Sequence, residues 1–273
     1  MNTIFDIRDS EYISMCLTGN QLFGDSFTKE EIKKWYEYEE QAYANMVMDE
    51  KTYLYDTHEL NRFLAFNRLP HGKFHKVLSY GGAFGDELLP VINQIEDITI
   101  LEPGDIFRKH HLGGKKVTYI KPEPFGKMPF DDNNFDLITC FSALHHIPNV
   151  SFVISEMYRV LKQGGYAIIR EPITSMGDWS QNRAGCTPCE RGIPKSLLEK
   201  IILKCGFKIL KSHYFDFPLI RILGGKFGKP YNNFFLTRVD YILSNIFRFN
   251  NVYYAKNKFQ KLRPGAVIFI LYK

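Results

Sequence analysis

From His75 to the C-terminus, short apolar runs alternate with segments whose apolar residues recur at helical spacing. The runs predict strands at Lys76 to Tyr80, Asp97 to Leu101, Lys116 to Ile120, Phe135 to Cys140, Gly165 to Arg170, Phe207 to Tyr214 and Ala266 to Leu271. Between them, helical stretches are predicted at Asp86 to Gln94, about Asp105 to His111, Ser151 to Lys162 and Pro194 to Cys205. Strands separated by helices of this length pair in parallel through right-handed crossovers, which predicts an α/β fold with a doubly wound sheet. Ligands of such sheets bind outside the carboxyl ends of the strands, near the switch in strand order.

The segments outside this alternation are less regular. Residues 1–27 show no clear period and read as an irregular arm. Thr28 to Glu31, TKEE, has the form of a capping box and predicts a helix from about Lys29 to Ala44, rich in the rings of Trp35, Tyr36, Tyr38 and Tyr43. Those rings would dock it on the core or make it a lid over a ligand. A second helix is predicted around His58 to Phe66, ending before Pro70 and Gly72. The organisation expected is an N-terminal arm and helical lid over 1–72, followed by a core domain over 73–273. Phe217 to Asn250 interrupts the core as a helical insertion, with Leu236, Val239, Ile242, Leu243 and Ile246 at helical spacing from about Leu236 to Phe247. It reads first as a substrate-side cap packed on the core; a membrane surface or a subunit interface of a homo-oligomer is the alternative.

Composition narrows the class. At 45% apolar and 24% charged residues over 273 positions, the chain has the make-up of a globular protein able to bury a core. The net charge of +5 is spread along the chain and does not call for nucleic acid. Five cysteines, Cys16, Cys140, Cys186, Cys189 and Cys205, are an odd number that makes no disulfide framework and suits a reducing compartment. The start, MNTIFDIRDSEY, has acids where a secretory signal would have a basic region, and no window reaches spanning length without charges, so a cytoplasmic location without a transmembrane segment is expected.

Candidate chemistry gathers at the strand ends. In KVLSYGGAFGDELLP the first strand runs into Gly81, Gly82 and Gly85 and then a helical start, a turn whose bare backbone and N–H groups let a cofactor approach. Glu102 follows the second strand, 17 residues after Gly85, where a carboxylate can accept both ribose hydroxyls of an adenosine-containing cofactor. The fourth strand ends in CFSALHHIPN, and either His145 or His146 could orient or deprotonate a substrate, His146 being preferred. After the fifth strand, the long loop from Arg170 to Gly192 offers Glu171, Arg183, Glu190 and Arg191 for hydroxyls or an anionic substrate, and Asp178 as a further acid for catalysis. The pair in CTPC, Cys186 and Cys189, has no second pair at zinc-site spacing, so no metal is expected.

The stretch Met128 to Pro172, with its PFDDNNFD lead, ALHHI turn, EMYRVLKQGG helix and strand ending in REP, resembles the class I S-adenosylmethionine-dependent methyltransferases of the small-molecule, type 11-like group. With the glycine turn and Glu102 the resemblance covers about His75 to Phe215. It implies a Rossmann-like seven-stranded sheet whose last strand, AVIFILYK, is antiparallel. It implies S-adenosylmethionine as cofactor, with Tyr80, Gly81, Gly82 and Gly85 beneath the methionine moiety and Glu102 on the ribose. Phe141 and Ser142 would open the turn near the donated methyl, and Glu123 would contact adenine. The chain departs from the pattern where an acid usually ends the first strand, here Ser79, and at the central glycine, here Ala83; the alanine is accommodated if Gly82 takes the positive φ. The activity implied is methyl transfer to an oxygen or nitrogen of a small polar molecule, such as a sugar or polysaccharide precursor. Ser79 and Ala83 keep a second reading open, a non-catalytic member of the fold acting as a regulatory or assembly subunit.

Overall fold

The computed structural model describes residues 10–44, 53–178, 183, 186–187 and 189–273. Its strands are β1 (Phe74–Tyr80), β2 (Ile95–Leu101), β3 (His111–Leu112), β4 (Lys115–Ile120), β5 (Phe135–Phe141), β6 (Leu161–Pro172), β7 (Lys208–Phe215) and β8 (Ala266–Tyr272). They form one sheet in the order β3-β4-β2-β1-β5-β6-β8-β7. The block from β4 to β6 is parallel, while β8 runs antiparallel to both β6 and β7. All seven predicted strands are present, and the last is antiparallel. The eighth, β3, is a two-residue strand antiparallel to β4, turned by Gly113 and Gly114 at φ 54° and 82°.

The α-helices are α1 (Ser10–Leu17), α2 (Lys29–Ala44), α3 (His58–Leu64), α4 (Val150–Val160), α5 (Lys195–Lys204), α6 (Pro218–Phe227) and α7 (Phe234–Ile246). Thr28 and Glu31 close the predicted capping box: the Thr28 N–H donates to Glu31 Oε2 at 2.8 Å and the Glu31 N–H to Thr28 Oγ1 at 3.3 Å. The stretch read as an irregular arm contains α1, a correction with a tertiary cause. Eight residues are too few for a helix to hold itself, and the cluster of Phe23, Phe27, Ile32 and Trp35 supplies the surface on which Tyr12, Ile13 and Leu17 pack. The crossover from β1 to β2 is a 3-10 turn, Asp86–Gln94, interrupted by Pro90. The next is shorter than predicted, Asp105–Phe107, because the β3–β4 hairpin takes His111.

Two apolar layers sandwich the sheet. Leu78, Ile138, Ala167 and Ile169 face the layer of α4 and α5, with Val153, Met157, Leu198 and Ile202. Their neighbours Val77, Leu137 and Ile168 face the opposite layer, built from Leu60 and Leu64 of α3 and Leu88 and Val91 of the 3-10 turn. This period of two is the reason a central strand reads as a continuous apolar run. After β4 the chain crosses to the far side of β1 to form β5, so the carboxyl ends of β1 and β5 flank the switch in strand order.

Candidate functional site

The two turns at this switch point touch. A Cβ on Gly81 would lie 2.6 Å from Ala143 Cβ, so glycine is required for the β1 turn to pass under the β5 turn. Gly82 is required for a different reason, since a Cβ there would fall 1.8 Å from Ser79 Oγ and 2.6 Å from Glu87 Oε1. The positive φ values belong to Gly81 (63°), Gly85 (78°) and, contrary to expectation, Ala83 itself (48°). An alanine there costs about 1–2 kcal/mol. Its two backbone groups are both held: its N–H donates to Glu102 Oε2 at 3.1 Å and its carbonyl accepts from the Tyr119 hydroxyl at 3.0 Å. Glu102 is buried, with Oε1 accepting the Gly104 N–H at 3.0 Å, and burial raises its pKa. Tyr80 is buried at the end of β1. Glu123 is paired with Lys127 at 3.3 Å in the turn after β4.

The β5 turn is organised by one carboxylate. Glu171, with no exposed surface, accepts the N–H groups of Ala143 (3.0 Å) and Leu144 (2.8 Å) on Oε1. Its Oε2 accepts the His145 N–H at 3.3 Å and lies 2.7 Å from His145 Nδ1. Phe141 and Ser142 open this turn, Ser142 at φ 58° with its N–H on the Arg170 carbonyl. His146 Nδ1 lies 2.8 Å from Glu39 Oε2 of α2, and Trp35 Nε1 donates to the His146 carbonyl at 2.7 Å. With carboxylates on both Nδ1 atoms, Nε2 is the basic nitrogen of each ring. Burial, then the neighbouring His146, lowers the pKa of His145. His145, His146 and Glu190 each place a ligand-type atom within 4.8 Å of the others, a spacing a metal ion would tolerate.

The loop residues expected to meet substrate are mostly committed internally. Arg191 is fully buried over the Trp35 ring and donates to the carbonyls of Phe23 (2.8 Å), His145 (3.1 Å) and Ile147 (2.9 Å). Arg183 donates to the carbonyls of Met176, Thr187 and Glu190, closing its own loop. Glu171 holds the β5 turn, as above. Each of the three is engaged with the protein's own backbone. Glu190 stays beside the histidines, 3.7 Å from His145 Nε2, and accepts the Thr187 N–H at 3.0 Å. Asp178 is half-buried before residues 179–182, which lie outside the described residues.

A family described as a methyltransferase domain matches residues 88–169, from the 3-10 turn after β1 through β6. This match supports a class I S-adenosylmethionine-dependent methyltransferase. Over 105 residues it is 36% identical to a sterol 24-C-methyltransferase of Yarrowia lipolytica, covering 35% of this chain and 27% of the relative. Over 111 residues it is 31% identical to a ubiquinone/menaquinone biosynthesis C-methyltransferase of Psychromonas ingrahamii, covering 36% of this chain and 43% of that one. The chain thus spans less than half the length of these curated relatives. Solved structures from Bacillus halodurans (TM-score 0.53, 19% identity, 79% of this chain and 97% of that) and from Mesorhizobium loti, an S-adenosylmethionine dependent methyltransferase (TM-score 0.51, 13% identity, 75% and 94%), share the fold.

Three residues of the site escape the motif reading because each acts from another element. Glu87, at the start of the 3-10 turn, points its carboxyl back to Ser79, whose hydroxyl donates to it, so a carboxyl occupies the place where the strand lacks one. Arg170, buried at the end of β6, donates to Thr57 Oγ1 (2.7 Å), Asn61 Oδ1 (2.8 Å) and Ser142 Oγ (3.4 Å). Among the described residues no acid pairs with it. Glu39 on α2 is the third, through His146. Burial raises the Glu87 pKa to about 7. Between about pH 4.5 and 7 the unfolded chain releases this proton while the folded chain keeps it, so the folded state becomes less favoured as pH rises through that window. Glu87→Gln, which cannot ionise, is expected to gain up to about 3 kcal/mol over the wild type on going from pH 5 to pH 8. Thermal melts of both proteins at the two pH values measure this, and a pH-independent difference would refute it.

Proposed function

We propose that the protein transfers the methyl group of S-adenosylmethionine to an apolar acceptor of the lipid or quinone type, with residues 1–72 acting as the lid over the site. The observation that carries the reading is Arg170: a buried guanidinium with three neutral partners and no described acid calls for an anionic ligand. The amino-acid end of the cofactor fits this place, its carboxylate on Arg170 and its ammonium on Glu87. Glu102 has lone pairs beyond its two backbone N–H bonds for the ribose hydroxyls. The cofactor supplies an activated methyl group. The chain's own part is to hold an acceptor in line with it beside Phe141 and Ser142, and to take a proton on His146 Nε2, with Glu39 fixing the ring. His145, locked by Glu171, is a positioning residue.

An apolar acceptor is favoured over a sugar because Arg183, Arg191 and Glu171, the groups that would recognise one, are spent on the protein's own backbone. The sterol and quinone relatives by name support the same direction. The non-catalytic alternative loses its ground where Glu87 supplies a carboxyl beside Ser79 and Ala83 adopts the positive φ itself. Calorimetry with S-adenosylhomocysteine tests the cofactor, and labelled S-adenosylmethionine with a total lipid extract tests the acceptor. Label is expected in the organic phase; label confined to the aqueous phase would overturn the apolar acceptor, and no binding at all would overturn the enzyme.

A further inference from the structure

The segment 217–262 carries eight lysines and arginines and a single acid, Asp240, and so more than accounts for the net charge of +5. Its principal helix, α7, is turned inside out relative to the usual surface helix. Thr237, Asp240 and Ser244 are fully buried, while Phe235 is 69% exposed, Ile242 55% and Ile246 57%. The apolar stripe expected to dock this helix therefore lies partly at the surface.

The inner face is held by polar bonds. Asp240 accepts the N–H groups of Asp216 (2.9 Å) and Phe217 (2.7 Å), joining α7 to the end of β7 and the start of α6, and the Tyr231 hydroxyl donates to both carboxyls. Arg238 pairs with Glu59 of α3 at 2.9 Å. A rotation that buried Phe235 would break these bonds, so the outward apolar face belongs to the fold. Phe234, Phe249 and Phe259 are exposed as well, at 60%, 72% and 61%, and Asn250 donates to the carbonyls of Phe259 (2.8 Å) and Leu262 (2.9 Å), tying the segment with exposed Lys258 and Lys261 to the one with exposed Arg248.

We propose that this face docks the protein on an anionic lipid bilayer, lying in the interface with its rings among the acyl chains and its cations at the phosphates. The charge selects the occupant. A symmetric contact with a second copy would set the same patch against itself, placing cations of one sign opposite each other. An anionic headgroup layer complements them. No helix among the described residues is long and apolar enough to cross the membrane. The docking face stands beside α3, whose Asn61 and preceding Thr57 hold Arg170, which sets the bilayer next to the proposed methyl-transfer site. The docking itself rests on exposure and charge and holds whether or not that activity is found.

Flotation of the full chain with vesicles of phosphatidylcholine, or of phosphatidylcholine with phosphatidylglycerol, tests the proposal. Recovery with the anionic vesicles is expected, at least about tenfold above the neutral ones and lowered by salt. Phe235→Ser with Phe249→Ser, and separately Lys258→Glu with Lys261→Glu, should each reduce it at least about tenfold with unchanged melting, since all four residues are exposed. A wild-type chain that stays soluble with anionic vesicles overturns the proposal. So does equal recovery with both vesicle types, or a dimer that dissociates on the phenylalanine changes and binds no vesicle.

Discussion

Replacing Arg170 with methionine is expected to weaken S-adenosylhomocysteine binding about 100-fold or more, while the melting temperature moves by only a few degrees. The two expectations have separate causes. In the complex, the guanidinium would meet the ligand's carboxylate in a buried setting, where removing one partner of a charge pair costs about 2–5 kcal/mol. In the free protein the charge has no acid partner among the described residues, so its removal relieves a desolvation cost that offsets the bonds lost to Thr57, Asn61 and Ser142. Calorimetry with two ligands makes the test specific. Methylthioadenosine lacks the amino-acid end and should bind wild type and variant alike, whereas S-adenosylhomocysteine should discriminate. Equal losses for both ligands would show that Arg170 shapes the site without touching that end; no loss for either would remove it from the cofactor altogether.

The second large effect is on stability. Glu171→Gln puts an amide where one carboxylate accepts three N–H groups and faces His145 Nδ1, so one end of the new side chain sets donors against donors in a fully buried place. Leaving such groups unmatched costs about 3 kcal/mol or more. For a domain of this size that corresponds to a melting temperature lower by about 6–12 °C, read by calorimetry. A drop below about 2 °C would mean that the β5 turn is held by its neighbours and that Glu171 is not its organiser. The contrast between the two substitutions separates a residue that waits for a ligand from one that completes the protein.

Much of the architecture was legible because strand and helix periods are local properties. Six of the seven predicted strands fall within the observed ones and the other starts one residue before β7, and the capping box of Thr28 and Glu31 closes as spaced. Glu102 stands where its spacing placed it, hydrogen-bonded to the glycine turn. The errors share a different origin. α1 lacks a period because an aromatic cluster from Phe23 to Trp35 supports it, and α7 presents a legible stripe whose orientation its period does not specify. The partners of loop charges are hidden for a similar reason: Arg191 donates to the carbonyl of Phe23, 168 positions away.

By itself, then, the sequence determined the order of elements, the parallel sheet and the glycine turn with its acid, since backbone periodicity, glycine's freedom and the spacing of Glu102 are written in neighbouring residues. Only the tertiary structure decided which charges are bonded to the protein itself. Glu87 reaches back to accept the Ser79 hydroxyl, Arg170 bonds Thr57, Asn61 and Ser142 with no acid partner among the described residues, and Glu171 and Arg191 are engaged with backbone. The physical reason is that a charge's role depends on which groups share its burial, and those groups come from distant parts of the chain.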